Sequence, residues 1–256
     1  MSEGPARPSG SMVERIGRSW RGALLDIVLI VGSILIAFAL DAWWDGRLRA
    51  DEEREALSAL AEELRGSRVE LDSVIAFNEQ RRDAATYFVR LAGRDLRSLP
   101  LDSLIVAFQG SAGGMTFDPS LGATEAILSS GLGLVRDSDL RAQIAAWPGM
   151  LREIEVDQAV IVERWEKVSD AMVAVGLSSR LTLVAGGQSG EEEPDWDAWR
   201  QLIVAMLNEP ELHERIGALG RSLEGLLSEL RDVEVRLDDL QAAVATELDN
   251  HPARRR

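Results

Sequence analysis

Residues 23–44 read ALLDIVLIVGSILIAFALDAWW, the one stretch of the chain that lipid can solvate. Its uninterrupted apolar run, residues 27–40, covers only about 21 Å at 1.5 Å per residue, short of a hydrocarbon core about 30 Å thick. The full stretch reaches about 33 Å, provided Asp26 and Asp41 lie at the two headgroup boundaries, where an ionised group costs less than at the bilayer centre. Trp20 on one side and Trp43 and Trp44 on the other suit the aromatic belts of lipid–water interfaces. A secretory signal peptide shows a similar profile, with Ala37-Phe38-Ala39 as a small-x-small cleavage site. Helical patterning that runs on through that site favours an uncleaved anchor. A buried core helix is the other alternative, and the lack of a polar face of the usual width weighs against it.

Within this helix Asp26, Ser33, Ala37 and Asp41 are spaced by seven, four and four residues and share one stripe. Small residues admit a neighbouring helix closely, and acids within a membrane seek partners, so the stripe is the candidate membrane helix–helix face. The alternative is that both aspartates only mark the interfaces. Arg7, Arg15, Arg18 and Arg21 precede the stretch, while Arg47, Arg49 and Arg54 follow it among many acids. The expected topology is a single-pass bacterial inner-membrane protein with a basic N-terminal tail (1–22) in the cytoplasm and the main domain (45–250) periplasmic, ending in a basic tail (251–256).

The acids and bases of the first 44 residues cancel, so the net charge of −15 lies wholly beyond them. Such an acidic domain is a poor partner for nucleic acid. With no cysteine there are no disulfides, thiolate metal sites or cysteine nucleophiles. The single lysine, Lys167, among 28 basic residues reads as compositional bias.

Residues 1–11 hold two prolines, two glycines and three serines and read as a disordered tail. Beyond Trp44 no proline occurs before Pro100, and Leu57, Leu64, Leu71, Asn78 and Ala85 recur every seven residues with Leu60, Val74 and Phe88 at companion positions. The membrane helix is therefore expected to continue as a stalk to about Leu91. Ser67, Asn78 and Arg81 interrupt that seam, which suits a bundle better than a free dimeric coiled coil. Residues 92–120 are glycine- and proline-punctuated, with a short helix near residues 101–108. A helical hairpin follows: residues 121–129, Gly131 as a left-handed cap, then a helix capped by Asp137 or Ser138 that Pro148 kinks or restarts and that ends near Val175. Residues 177–194 read as loop, Pro194-Asp195 as a helix start, and Pro210 as the start of the last helix.

In that last helix Ile216, Leu219, Leu223, Leu226, Leu230, Val233, Leu237, Leu240 and Val244 keep alternating steps of three and four, the cleanest heptad seam in the chain. A seam needs an apolar counterpart. Either the stalk supplies it within one chain, or a second copy does in a parallel dimer. The fold expected is all-α: one N-terminal transmembrane helix continuing into an elongated helical bundle with coiled-coil-like packing. Gly217, Gly220 and Gly225, each costing about 1 kcal/mol relative to alanine, lie off the seam without evident cause.

Two patterns carry a family resemblance. One is Asp26-Ile27, Gly32-Ser33-Ile34-Leu35-Ile36-Ala37 and Asp41-Ala42-Trp43; the other is Ala126-Ile127-Leu128-Ser129-Ser130-Gly131 with Leu134-Val135 and Asp139-Leu140-Arg141. Over about a third of its length the chain resembles a family of uncharacterised bacterial single-pass membrane proteins, whose membrane segment has an acid, an apolar run centred on Gly-Ile-Leu-Ile-Ala, and Asn or Asp with Trp at its end. Ser33 is an insertion relative to that pattern. The resemblance implies an uncleaved anchor and no assigned activity.

A catalytic constellation is hard to assemble. His213 has no second histidine at i+4 and His251 is near the end, so both read as surface histidines rather than zinc or triad members. Gly110-Ser111-Ala112-Gly113-Gly114 lacks the lysine and the strand that a phosphate loop needs. Asp195 and Asp197 with Glu191, Glu192 and Glu193 could hold calcium, but fit a solvated loop and helix start better. Arg254, Arg255 and Arg256 read as a solvated tail. The function expected is non-enzymatic and cofactor-free: a membrane-anchored interaction or scaffold protein, an accessory component of a membrane complex, with a protein partner or a second copy. The alternative is an extracytoplasmic ligand-sensing helical domain that signals through a partner.

Overall fold

The computed structural model describes residues 12–91, 94, 96–111, 113–177, 179 and 196–250, with the side chains of 12–23, 26 and 97 outside that description. The expected disordered tail 1–11, the acidic loop from Glu191 to Asp195 and the basic end 251–256 therefore lie outside the described residues. Among the described residues regular structure is entirely helical: α1 (Met12–Arg90), α2 (Leu101–Gln109), α3 (Gly122–Ser130), α4 (Ser138–Ala174), α5 (Trp196–Leu207) and α6 (Pro210–Asn250), with short 3₁₀ turns at Leu96–Ser98 and Leu132–Leu134. The chain divides into two compact units, Met1–Glu53 and Arg54–Arg256, and α1 contributes to both.

In the first unit α1 presents an 18-residue window of mean hydropathy 2.2, none of it buried, which is long and apolar enough to cross a membrane. Trp43 and Trp44 are exposed, and the Arg47 guanidinium lies 5.6 Å from the Trp43 ring centroid. That cation–π contact is the kind that holds a tryptophan where an apolar medium meets water.

In the second unit α1 and α6 run antiparallel. Arg54 donates to the Leu248 carbonyl, Gln241 to that of Leu64, Arg68 pairs with Glu234 and Asp238, Arg231 with Glu79, and Arg82 with Glu224. The paired numbers fall on one side as they rise on the other, so a single register holds from Arg54 to Arg82. Every seam residue of α6 is buried, as are Leu57, Leu60, Leu64, Leu71, Val74, Asn78, Ala85 and Phe88 of α1. The apolar counterpart of the α6 seam thus lies within the same chain. Each leucine so buried is worth about 1.5–3 kcal/mol over an exposed one, and the ion pairs along the edges, all partly exposed, contribute far less.

Two α6 glycines that the sequence leaves without cause acquire one. A Cβ on Gly220 would lie 3.1 Å from the Ala85 Cβ, and one on Gly217 would lie 3.4 Å from a Val89 methyl. Small residues on both helices bring the backbones together there. Ala84 and Ala85 receive a second close approach: a Cβ on Gly110, at the end of α2, would fall 2.5 Å from the Ala85 nitrogen. Gly225 faces open space and has no such role.

Helix α4 packs along α6, also antiparallel, since Gln143 and Met150 lie beside Arg236 and Leu240 while Arg164 and Lys167 lie beside Arg215 and Glu211. Asp137 caps α4, accepting from the Leu140 amide at 2.6 Å as its position suggests. Pro148 neither ends nor restarts α4, which runs on to Ala174. Only one helical hydrogen bond is forfeited, and the buried side chains of Trp147, Leu151 and Ile154 pin the helix on both sides of it. Gly131 has positive φ as expected of a cap, but with φ 95° and ψ 132° it is extended rather than left-handed helical, and it leads into the following 3₁₀ turn. His213 is not a plain surface residue: its ring sits 4.8 Å from that of Phe88, and Nε2 contacts the Leu207 carbonyl at the end of α5.

Packing of this kind predicts a sharp contrast in urea unfolding. Leu230→Ala or Leu237→Ala is expected to cost about 2–5 kcal/mol, and Arg231→Ala about 0–1 kcal/mol. Among the glycines, Gly110→Ala is expected to destabilise by about 1–3 kcal/mol because its methyl meets the α1 backbone, whereas Gly225→Ala should stabilise by up to about 1 kcal/mol. A Gly110→Ala protein as stable as the parent would contradict the close approach.

Candidate functional site

Of the four stripe residues in the membrane-competent helix, Ser33, Ala37 and Asp41 are exposed and the Asp26 side chain lies outside the described residues. The Ser33 hydroxyl donates to the Ile30 carbonyl at 2.8 Å, which satisfies it within its own helix. A serine bonded this way is small and self-contained. It can lie against another helix without demanding a polar partner there.

A second face of α1 shows chemistry that periodicity alone did not reveal. Residues 113–120 form no regular element and lie as a strap against α1 and α4. The Asn78 carboxamide accepts from the Met115 amide at 2.8 Å and donates to the Met115 carbonyl at 2.9 Å. From α4, the Gln158 carboxamide makes the same double contact with Phe117, accepting from its amide and donating to its carbonyl at 3.1 Å. A carboxamide offers one donor and one acceptor with the spacing of a peptide group, so these two side chains stand in for neighbouring strands. The strap therefore reaches a helical core without stranding its backbone.

Further along α1 the pattern continues. Glu70 accepts from the Asp118 amide at 3.0 Å, and Glu63 accepts from the Ala123 and Thr124 amides and the Thr124 hydroxyl, capping α3 with a carboxylate from another helix. Arg81 donates to the Gln109 carbonyl at the end of α2 and lies over the Phe77 ring. Carboxylates at the α3 N-terminus and a guanidinium at the α2 C-terminus both oppose the local helix dipole favourably. Asn78 and Arg81, read above as interruptions of the seam, are thus the means by which α1 holds residues 109–124.

The glycines of the strap follow from the same crowding. A Cβ on Gly113 would meet the Trp165 ring at 2.8 Å, and one on Gly114 would meet Asn78 Oδ1 at 2.7 Å and Leu223 at 2.9 Å. Their signal in the sequence was a glycine cluster without a phosphate-loop lysine. Close packing is its cause.

Charges elsewhere serve the bundle. Arg68 is opposed by partial burial, but Asp72, Asp238 and Glu234 together raise its pKa further; hydrogen bonds from Arg82 to Glu224 and Asp83 raise that of Arg82. Among the described residues no group of three His, Asp or Glu side chains is placed to hold a metal ion. Asp197 stands exposed in the first turn of α5, and the other carboxylates of that cluster lie outside the described residues.

Two buried carboxamide clamps make a measurable prediction. Asn78→Ala should leave the Met115 amide and carbonyl without partners and destabilise the fold by about 1–3 kcal/mol, with a similar loss for Gln158→Ala. Hydrogen exchange at Met115 and Phe117 should accelerate in the respective variants. Unchanged exchange at both positions would show that the clamps do not hold the strap.

Compared with known proteins, the chain matches no family model, no curated protein and no solved structure, so its function has to be read from its own residues.

Proposed function

We propose that this protein is a membrane-anchored helical interaction protein, a non-catalytic accessory component of a membrane complex. The observation that supports the reading is α1: one helix holds an apolar window of membrane-crossing length, none of it buried, and, further along, the residues that organise a helical domain. Among the described residues of its unit nothing covers the apolar side chains between Ile27 and Leu40, and lipid is the medium that removes the penalty. The bundle offers few candidates for catalysis. Its described histidine packs against Phe88, and its buried carboxamides Asn78 and Gln158 are engaged in holding the strap.

The site of this anchor in the reading is the bacterial inner membrane, with the N-terminus cytoplasmic because Arg15, Arg18 and Arg21 lie close to the apolar run, and the acidic domain on the far side. The family resemblance carried by the membrane segment implies an uncleaved anchor and is silent on its orientation. Within the bilayer, the stripe of Asp26, Ser33, Ala37 and Asp41 is the surface proposed to meet a partner helix, from another protein or from a second copy.

Two measurements bear on this. The mature protein should stay with membranes through alkaline washing and retain residues 23–44; an intact mass beginning near Leu40 would overturn the anchor. A photo-crosslinking residue at Ser33 or Ala37 should give a discrete protein adduct in intact membranes, and one at Val28 or Leu35, on the opposite face, should not. Equal labelling from both faces would remove the stripe as a partner surface.

A further inference from the structure

Where the apolar run of α1 gives way to charge, Trp43 and Arg47 stand one turn apart on the same edge of the helix. The Arg47 guanidinium folds back toward the apolar run, 5.6 Å from the Trp43 ring centroid, and among the described residues it makes no ion pair with Asp51, one turn further on. A cation held against a ring face keeps its N–H donors, which lie in the guanidinium plane, for another acceptor. Trp43 itself is exposed over 58% of its surface, so the pair is open to whatever medium surrounds the helix at this level.

Depth and facing both bear on what that medium is. With Asp41 at the boundary of the hydrocarbon core, a group level with Trp43 lies about 3 Å beyond it, inside a headgroup layer about 5–8 Å thick. The Arg47 Cα lies about 9 Å out, so the fold-back toward Trp43 is what brings its charge to phosphate depth. At about 100° per residue, Asp41, Asp45 and Glu52 fall about 140–180° round the helix from the Trp43–Arg47 edge, and these acids turn away from it. The stripe of Ser33, Ala37 and Asp41 is centred about 100° from the same edge. A partner helix seated on the stripe leaves Trp43 and Arg47 facing lipid.

We propose that Trp43 and Arg47 form a site for the headgroup of an anionic phospholipid, the ring lying at the glycerol-ester level and the guanidinium donating to the phosphate oxygens. A forked guanidinium matches the two free oxygens of a phosphodiester. Phosphatidylglycerol offers that phosphate without a cation of its own, whereas the trimethylammonium of phosphatidylcholine competes for it. The inference rests on the reading of residues 23–44 as a membrane anchor, and adds to it a bound lipid that fixes the helix in depth and rotation.

The test is native mass spectrometry of the full chain released from nanodiscs made of equal parts phosphatidylglycerol and phosphatidylcholine. The parent chain should retain phosphatidylglycerol over phosphatidylcholine by at least threefold. Arg47→Gln should abolish that preference and Trp43→Ala should weaken it. Arg49→Gln, with the same change in net charge but on another side of the helix, should leave it unchanged. All three positions are exposed, so helix content by circular dichroism should match the parent. Excess inorganic phosphate should not displace the lipid. Equal retention of the two lipids by the parent, an unaltered preference in Arg47→Gln or Trp43→Ala, an equal loss in Arg49→Gln, or displacement by free phosphate would each overturn the site while leaving the anchor in place. A chain that does not enter nanodiscs at all would overturn both.

Discussion

When Leu57, Leu60, Leu64, Leu71 and Val74 of α1 meet the nine-residue seam of α6, the two longest helices of the described chain bury their apolar stripes on each other, and the remaining elements are placed by what those two leave uncovered. The antiparallel sense follows from the ion pairs. Arg68, Arg82 and Arg231 each find carboxylates across the interface with α6 running opposite to α1, and a one-turn slip would leave Arg68 beside only one of Glu234 and Asp238, which are themselves a turn apart. Such partly exposed pairs contribute little energy, yet they discriminate between registers that the repeating leucines would tolerate. The Gly220–Ala85 contact adds a steric mark, since a larger side chain at either position would hold the helices apart there.

From that pair the rest of the bundle follows. Helix α4 covers a second face of α6, and an irregular strap lies across α1 and α4 with Phe117 buried between them. Laying non-helical backbone against a helical core is costly unless its amides and carbonyls are met. Asn78 and Gln158 meet them with one carboxamide each, on residues two apart in the strap. The strap is thereby tied to α1 and α4 at once, and Glu63 and Glu70 fix the chain as it turns into α3. What looks from one helix like a flawed heptad is, from the strap, a row of docking groups.

Much of this architecture is legible in the sequence, because period and punctuation report directly on helices. The apolar steps of three and four in α6, the absence of proline between Trp44 and Pro100, Pro210 at a helix start and Asp137 at a cap all translate into the observed elements. What sequence could not convey is the identity of a contact across space. Asn78 in a leucine seam reads as a defect until Met115 lies beside it, and Gly220 reads as a weak point until Ala85 approaches. Pro148 reads as a break because local rules count the lost hydrogen bond but not the buried Trp147 and Leu151 that hold the helix together. The membrane stripe was legible as spacing alone.

The central claim is that α1 and α6 pair antiparallel within one chain, and the native chain's lack of cysteine makes this directly measurable. With cysteines introduced at Arg68 and Asp238 and joined by a short bismaleimide, the cross-linked product is predicted to run as a monomer whose digest contains the two positions in one linked peptide pair. Cross-links found only between differently tagged copies would contradict the account, for they would place the counterpart of the α6 seam in a second molecule.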